Sequence, residues 1–302
     1  MILSFPISSY LLIENLDNFL QLIEFEIPVF IFGFSVRYLV NVPVILVFIT
    51  LASVYLLLFI KSILIPIPAE YKKITANELS INEMLSNKAI IFMIIFSITF
   101  FIVNLINIIQ FELGINTGAP SIINNQILQN FIAILISPIT EEIGFRLTTI
   151  GICTIVLLYK KTNKINKLKI MWNPKKYVKI YSNENYKTHI RILYLIAIVS
   201  GIIFGLSHIL IGDSWQIGKV TTASLIGTII GILYINYGFN YAILFHWTFN
   251  YFLGSYAYIE RIFPIMVQVN QYIFLFINLI GIIFILVILN LIIDKNIFLN
   301  ND

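Results

Sequence analysis

Long apolar runs separated by short polar stretches set the rhythm of this chain, as in ILVFITLASVYLLLFI at 45–60. A helix needs about 20 mostly apolar residues to cross the hydrocarbon layer of a bilayer. The pattern predicts spans at 19–34, 39–61, 89–109, 127–147, 191–211, 218–236, 240–258 and 269–293. The first of these is interrupted by Glu24, Glu26 and Pro28, and no basic stretch precedes it, so no cleaved leader is expected. The fold class expected is all-α, a polytopic transmembrane bundle of about eight helices, with any chemistry in helices 4 to 7.

Composition agrees with that class. The chain of 302 residues is 59% hydrophobic and only 11% charged. Cys153 is the sole cysteine, which excludes an intrachain disulfide and a thiolate metal cluster. Basic residues are unevenly spread. Residues 160–191 hold nine Lys and one Arg of the nineteen basic residues, against the single acid Glu184. Lys61, Lys72, Lys73 and Lys88 mark a second basic stretch at 61–88. Positive charge favours the cytoplasmic side, so both loops and both termini are expected there, in the plasma membrane of a prokaryote. A loop facing water and lipid headgroups accounts for the lysines, and a nucleic-acid partner is not expected.

The chain divides into an accessory part at 1–88 and a membrane core at 89–302. Pro66 and Pro68 punctuate the end of the second span, and Thr75 with Glu78 resembles a capping box. The last span, 269–293, is apolar apart from Asn270, Gln271, Asn278 and Asn290, and reads as a packing element. Residues 124–258 contain every candidate for chemistry.

Charges at the depth of a bilayer cost roughly 2.5–3.5 kcal/mol each, so they face polar cavities and serve a purpose. Glu141, Glu142 and Arg146 lie together in FIAILISPITEEIGFRL (131–147). Glu142 and Arg146 are four apart and share a helix face, the spacing of an ion pair. Glu141 is turned about 100° away on a regular helix, which leaves its carboxylate free. Of three histidines, His189 is expected to be an ordinary surface residue at the edge of the basic loop. His208 follows Phe204 by four residues, and His246 precedes Asn250 by four. Trp247 and Tyr251 are expected as core or interface anchors.

One free carboxylate, two imidazoles and an amide suit water activation for attack on a carbonyl. A carboxylate can act as general base, and an imidazole can relay the proton. A second imidazole and an amide N–H can steady the oxyanion. The same Glu141, His208 and His246 could instead hold zinc, since His₂Glu is a catalytic zinc set. No HExxH is present, and the three side chains come from separate helices.

EExxxR (Glu141, Glu142, Arg146), FxxxH (Phe204, His208) and HxxxN (His246, Asn250), in this order on membrane helices, resemble the CAAX protease and bacteriocin-processing family of intramembrane endopeptidases. The resemblance covers about 124–258. It implies that Glu141 activates the hydrolytic water with help from His208, and that His246 and Asn250 stabilise the oxyanion. It assigns Glu142, Arg146 and Phe204 structural support. It implies a membrane-associated peptide or protein substrate and no obligatory cofactor, with a divalent metal such as zinc as the alternative. A substrate other than a prenylated tail is expected. The competing reading is a non-proteolytic immunity, scaffold or small-solute transport protein using the same cavity.

One depth conflict arises. His246 lies about 10 Å along its helix from Phe239, whereas His208 lies about 25 Å from Arg191 at 1.5 Å per residue. The two meet only if the helices do not all begin flush with the bilayer. The apolar run 147–159 suggests that the fourth helix continues well past Glu141, and Pro138 or Gly144 could kink it.

Overall fold

Residues 22–43 form a β-hairpin, which corrects the membrane helix expected at 19–34. Strand β1 (Leu22–Ile31) pairs antiparallel with β2 (Phe34–Pro43), from Leu22 opposite Pro43 to Ile31 opposite Phe34. The physical reason lies in the interruptions themselves. Glu24, Glu26 and Pro28 alternate with Phe25, Ile27 and Val29, which is the period of a strand and not of a helix. The turn is Phe32–Gly33, both with positive φ (51° and 82°), the type I′ geometry that matches the twist of a hairpin.

The computed structural model describes residues 22–65, 87–118, 127–159, 167–182, 185–211, 215–251, 260 and 264–299. The proposed capping box at Thr75 and Glu78, Pro66 and Pro68 lie outside the described residues, as does the expected span beyond Tyr251. Helix α1 (Val44–Phe59) continues as a π-helical turn through Leu64. The second expected span therefore begins at 44, because 39–43 belong to β2. Helix α2 (Lys88–Glu112) is capped by Asn87, whose side chain accepts from the N–H groups of Ala89 and Ile90 at 2.7 and 3.1 Å, as an N-cap does.

Helix α3 (Ile127–Glu142) passes into a π-helical segment (Ile143–Gly151) and then α4 (Ile152–Leu157). The fourth expected helix thus continues well beyond Glu141. The basic segment is not a plain loop: it contains α5 (Lys167–Trp172) and α6 (Pro174–Tyr181). These dock on the bundle. Trp172 Nε1 donates to Asn240 Oδ1 at 3.1 Å, and Lys175 Nζ donates to Asn236 Oδ1 at 2.6 Å. His189 is not a free surface residue, since its Nδ1 lies 2.6 Å from Ser182 Oγ.

The remaining helices are α7 (Tyr186–Leu210), α8 (Ile217–Tyr237), α9 (Phe239–Asn250) and α10 (Ile265–Leu299). Among the described residues, five helical stretches are long and apolar enough to cross a membrane: Ile45–Leu64, Lys88–Glu112, Tyr186–Leu210, Ile217–Tyr237 and Ile265–Ile293. The chain is an integral membrane protein built as an all-α polytopic bundle, with one hairpin laid against α3 and its π-helical extension.

Glycine sets the closest helix contact. A Cβ on Gly205 would sit 2.0 Å from Ser224 Oγ and 2.6 Å from the Val220 carbonyl oxygen, both on α8. A Cβ on Gly201 would sit 2.5 Å from the Thr228 nitrogen. The spacing Gly201-xxx-Gly205 is the small-residue pattern that lets membrane helices approach backbone to backbone. Gly205→Leu is expected to lower the melting temperature in detergent by forcing α7 from α8, at a cost of roughly 1–3 kcal/mol. Ile202→Leu, at an exposed position on the same helix, is the control that should leave the melt in place.

Candidate active site

The three motifs converge from α3, its π-helical extension, α7 and α9. Glu142 and Arg146 form the expected ion pair: Arg146 Nε lies 3.1 Å from Glu142 Oε2, and both side chains are fully buried. Arg146 Nη2 also donates to the Gly227 carbonyl at 2.7 Å, and its guanidinium lies 4.8 Å from the Phe204 ring centroid. Phe204 therefore packs between the arginine and the imidazoles.

Glu142 has a second partner. Its Oε1 lies 2.7 Å from His246 Nδ1. A carboxylate can only accept, so Nδ1 is the donor and His246 Nε2 is left to face elsewhere. It faces Glu141, whose Oε2 is 3.7 Å away. The two glutamates thus grip one imidazole from its two nitrogens. They differ in access: the Glu141 side chain is 18% exposed and that of Glu142 is 0%. Glu141 Oε2 is buried without a hydrogen-bond partner, and 3.7 Å is beyond a direct hydrogen bond to Nε2.

His208 joins through Phe204. Its Nδ1 lies 2.8 Å from the Phe204 carbonyl oxygen, so Nδ1 is the donor and Nε2 is left to face elsewhere. The His208 ring packs edge-on to Phe204 at 4.8 Å, and Phe204 packs edge-on to His246 at 5.6 Å. The depth conflict closes through the long fourth helix. Leu157 ends α4 sixteen residues after Glu141, so this helix runs on past the site much as α7 runs from Arg191 to His208.

Asn250 is turned to α3, where its Nδ2 donates to Ser137 Oγ at 2.8 Å. Ser137 lies one turn before Glu141. Trp247 and Tyr251 are core, as expected, at 2% and 1% exposure. Three neighbours escaped the sequence reading. Tyr55 of α1 stacks on Trp247 at 4.8 Å and donates to the Leu135 carbonyl at 2.6 Å. Trp215 packs edge-on to His208 at 6.3 Å. Lys219 Nζ lies 4.0 Å from the Trp215 ring centroid. The rule that singled out Glu141, charge within an apolar helix, also marks Lys219.

Zinc requires at least three ligands around one point. Among the described residues no three His, Cys, Asp or Glu side chains converge in that way. Glu141 and His246 approach each other, but Nδ1 of His246 is taken by Glu142 and His208 is reached only through Phe204. The arrangement does not fit the Glu141, His208 and His246 metal set, so no step is routed through a metal.

Residues 123–252 match the family model described as type II CAAX prenyl endopeptidase, Rce1-like. No curated protein and no solved structure matches the chain. The matched region spans α3 to α9, which carry all three motifs and bring Glu141, Glu142 and His246 into contact. Over residues 123–252, the part of the chain that holds the candidate site, the sequence is similar to the type II CAAX prenyl endopeptidases.

Proposed function

We propose that this protein is an intramembrane endopeptidase that hydrolyses a peptide bond of a membrane-associated substrate with water activated by Glu141. The observation that carries the reading is the buried, unpartnered Glu141 Oε2 beside His246 Nε2. A water lodged against both atoms is polarised by the carboxylate and oriented by the imidazole. Its oxygen bonds to the scissile carbonyl carbon as its proton passes to Glu141. The C–N bond then breaks, and Glu141 returns the proton to the leaving amine. Glu142, paired with Arg146, holds His246 Nδ1 and so keeps Nε2 aimed at the site. His208 assists from across Phe204, and the Asn250 amide, through the N–H not given to Ser137, serves the developing oxyanion.

The test is cleavage of an internally quenched membrane-peptide library by detergent-purified protein, with His246→Ala as the inactive control. New amino termini, formed equally with and without a chelator, are the expected result. Cleavage abolished by chelator and restored by zinc would replace the glutamate mechanism with a metal one. If no peptide is cut, the scaffold or transport reading takes its place.

A further inference from the structure

Lys219 is the charge near the site that the proposed mechanism leaves unused. It stands in the first turn of α8, where the helix dipole disfavours a cation. That turn is pinned in place. The N–H of Gln216 donates to the Thr117 carbonyl at 3.1 Å, and that of Gly218 to the Asn116 carbonyl at 2.9 Å. Gln110 Nε2 donates to the Gly218 carbonyl at 3.2 Å. The first backbone donors of α8 are thus spent on the chain itself, and the ammonium is the remaining positive feature there.

Its place relative to the chemistry follows from a run of contacts. The Lys219 ammonium caps Trp215 at 4.0 Å, Trp215 meets His208 at 6.3 Å, and His208 meets Phe204 at 4.8 Å. Phe204 meets His246, which faces Glu141. Yet Lys219 forms no ion pair among the described residues, and the Glu141 oxygen turns to His246 instead. Resting a half-buried ammonium on an indole face holds it in place without neutralising it.

We propose that Lys219 is a specificity-determining residue that receives a carboxylate of the substrate within a few residues of the scissile bond. This rests on the endopeptidase reading. A peptide carries full negative charge only at its C-terminal carboxylate or on an Asp or Glu side chain. An extended peptide advances about 3.3 Å per residue, so a peptide whose scissile bond sits at Glu141 can carry a charged group to Trp215 further along its length. The competing role, stabilisation of the oxyanion, would serve every substrate alike. The two differ in what they select.

The experiment uses quenched peptides in matched pairs, cut by the full chain in detergent. One pair differs in a free or amidated C-terminus, the other in Glu or Gln on the leaving side. The wild type is expected to favour the carboxylate member of one pair by on the order of tenfold in kcat/KM, carried by KM. Which pair shows it tells a chain terminus from a side chain. Lys219→Met should bring that ratio to unity, and Lys219→Arg should keep it. A ratio unchanged in Lys219→Met overturns the proposal. An equal fall in kcat on both members overturns it too, in favour of the oxyanion role. Binding of the same labelled pairs to Glu141→Gln separates the two readings. Carboxylate-selective binding lost in Glu141→Gln/Lys219→Met, with no cleavage by wild type, sinks the endopeptidase and keeps the carboxylate site. Binding without preference for either carboxylate sinks the site.

Discussion

Glu141→Gln is expected to abolish cleavage while leaving the fold in place. The glutamine keeps the size and the oxygen that faces His246 Nε2 but cannot take a proton from water. Loss of a positioned general base costs roughly 10²–10⁴-fold in rate. The loss should fall on kcat, with KM little moved, because Glu141 acts on the water and not on the substrate's remote parts. Its partial exposure makes the substitution tolerable: among the described residues its ion-pair partner is His246 at 3.7 Å, and Arg146 pairs with Glu142 instead. The measurement is steady-state kinetics on a peptide found in the library screen, beside a thermal melt of the same preparation. Wild-type turnover by Glu141→Gln would overturn the assignment of the base, whatever the fate of the protease reading.

The sequence exposed the site better than it exposed the frame around it. Glu142 and Arg146 were legible because an ion pair four residues apart is written in local helical geometry. The contact between Glu142 and His246 was not, since it joins residues 104 positions apart and depends on how α9 is rotated against α3. The motifs set His208 beside Glu141, while the structure routes that neighbourhood through Phe204, to which the resemblance assigns structural support alone. The hairpin hides behind its total hydrophobicity, which is that of a span, although Glu24, Glu26 and Pro28 carry the period of two that marks a strand. Gly144 then shows why a hairpin fits there: a Cβ on it would lie 2.1 Å from Phe30 Cβ. The missing side chain lets β1 lie on the turn that follows the two glutamates. Lys219 and Trp215 lie beyond the quoted motifs, and motif spacing could not draw them in.

Glu142→Ala is expected to be the most destabilising single change in the site. It leaves Arg146 fully buried with its carboxylate partner gone, and breaking a buried pair from one side costs about 3–5 kcal/mol. The remaining hydrogen bond to Gly227 and the Phe204 face do not replace a counter-charge. Activity falls with it, for two separable reasons: the bundle loosens, and His246 loses the acceptor that fixes Nδ1. A double variant separates them. Glu142→Leu with Arg146→Met removes both charges and refills the space with apolar volume, a replacement that is often neutral or stabilising. Its melting temperature in detergent should return toward that of the wild type, while cleavage stays lost because nothing orients His246. Recovery of both stability and activity would show that Glu142 serves only Arg146, and would remove it from the chain of contacts that aims the imidazole at Glu141. Failure to recover stability would mean that the hydrogen bond from Arg146 to Gly227, which ties α8 to the π-helical turn, matters more than the charge pair itself.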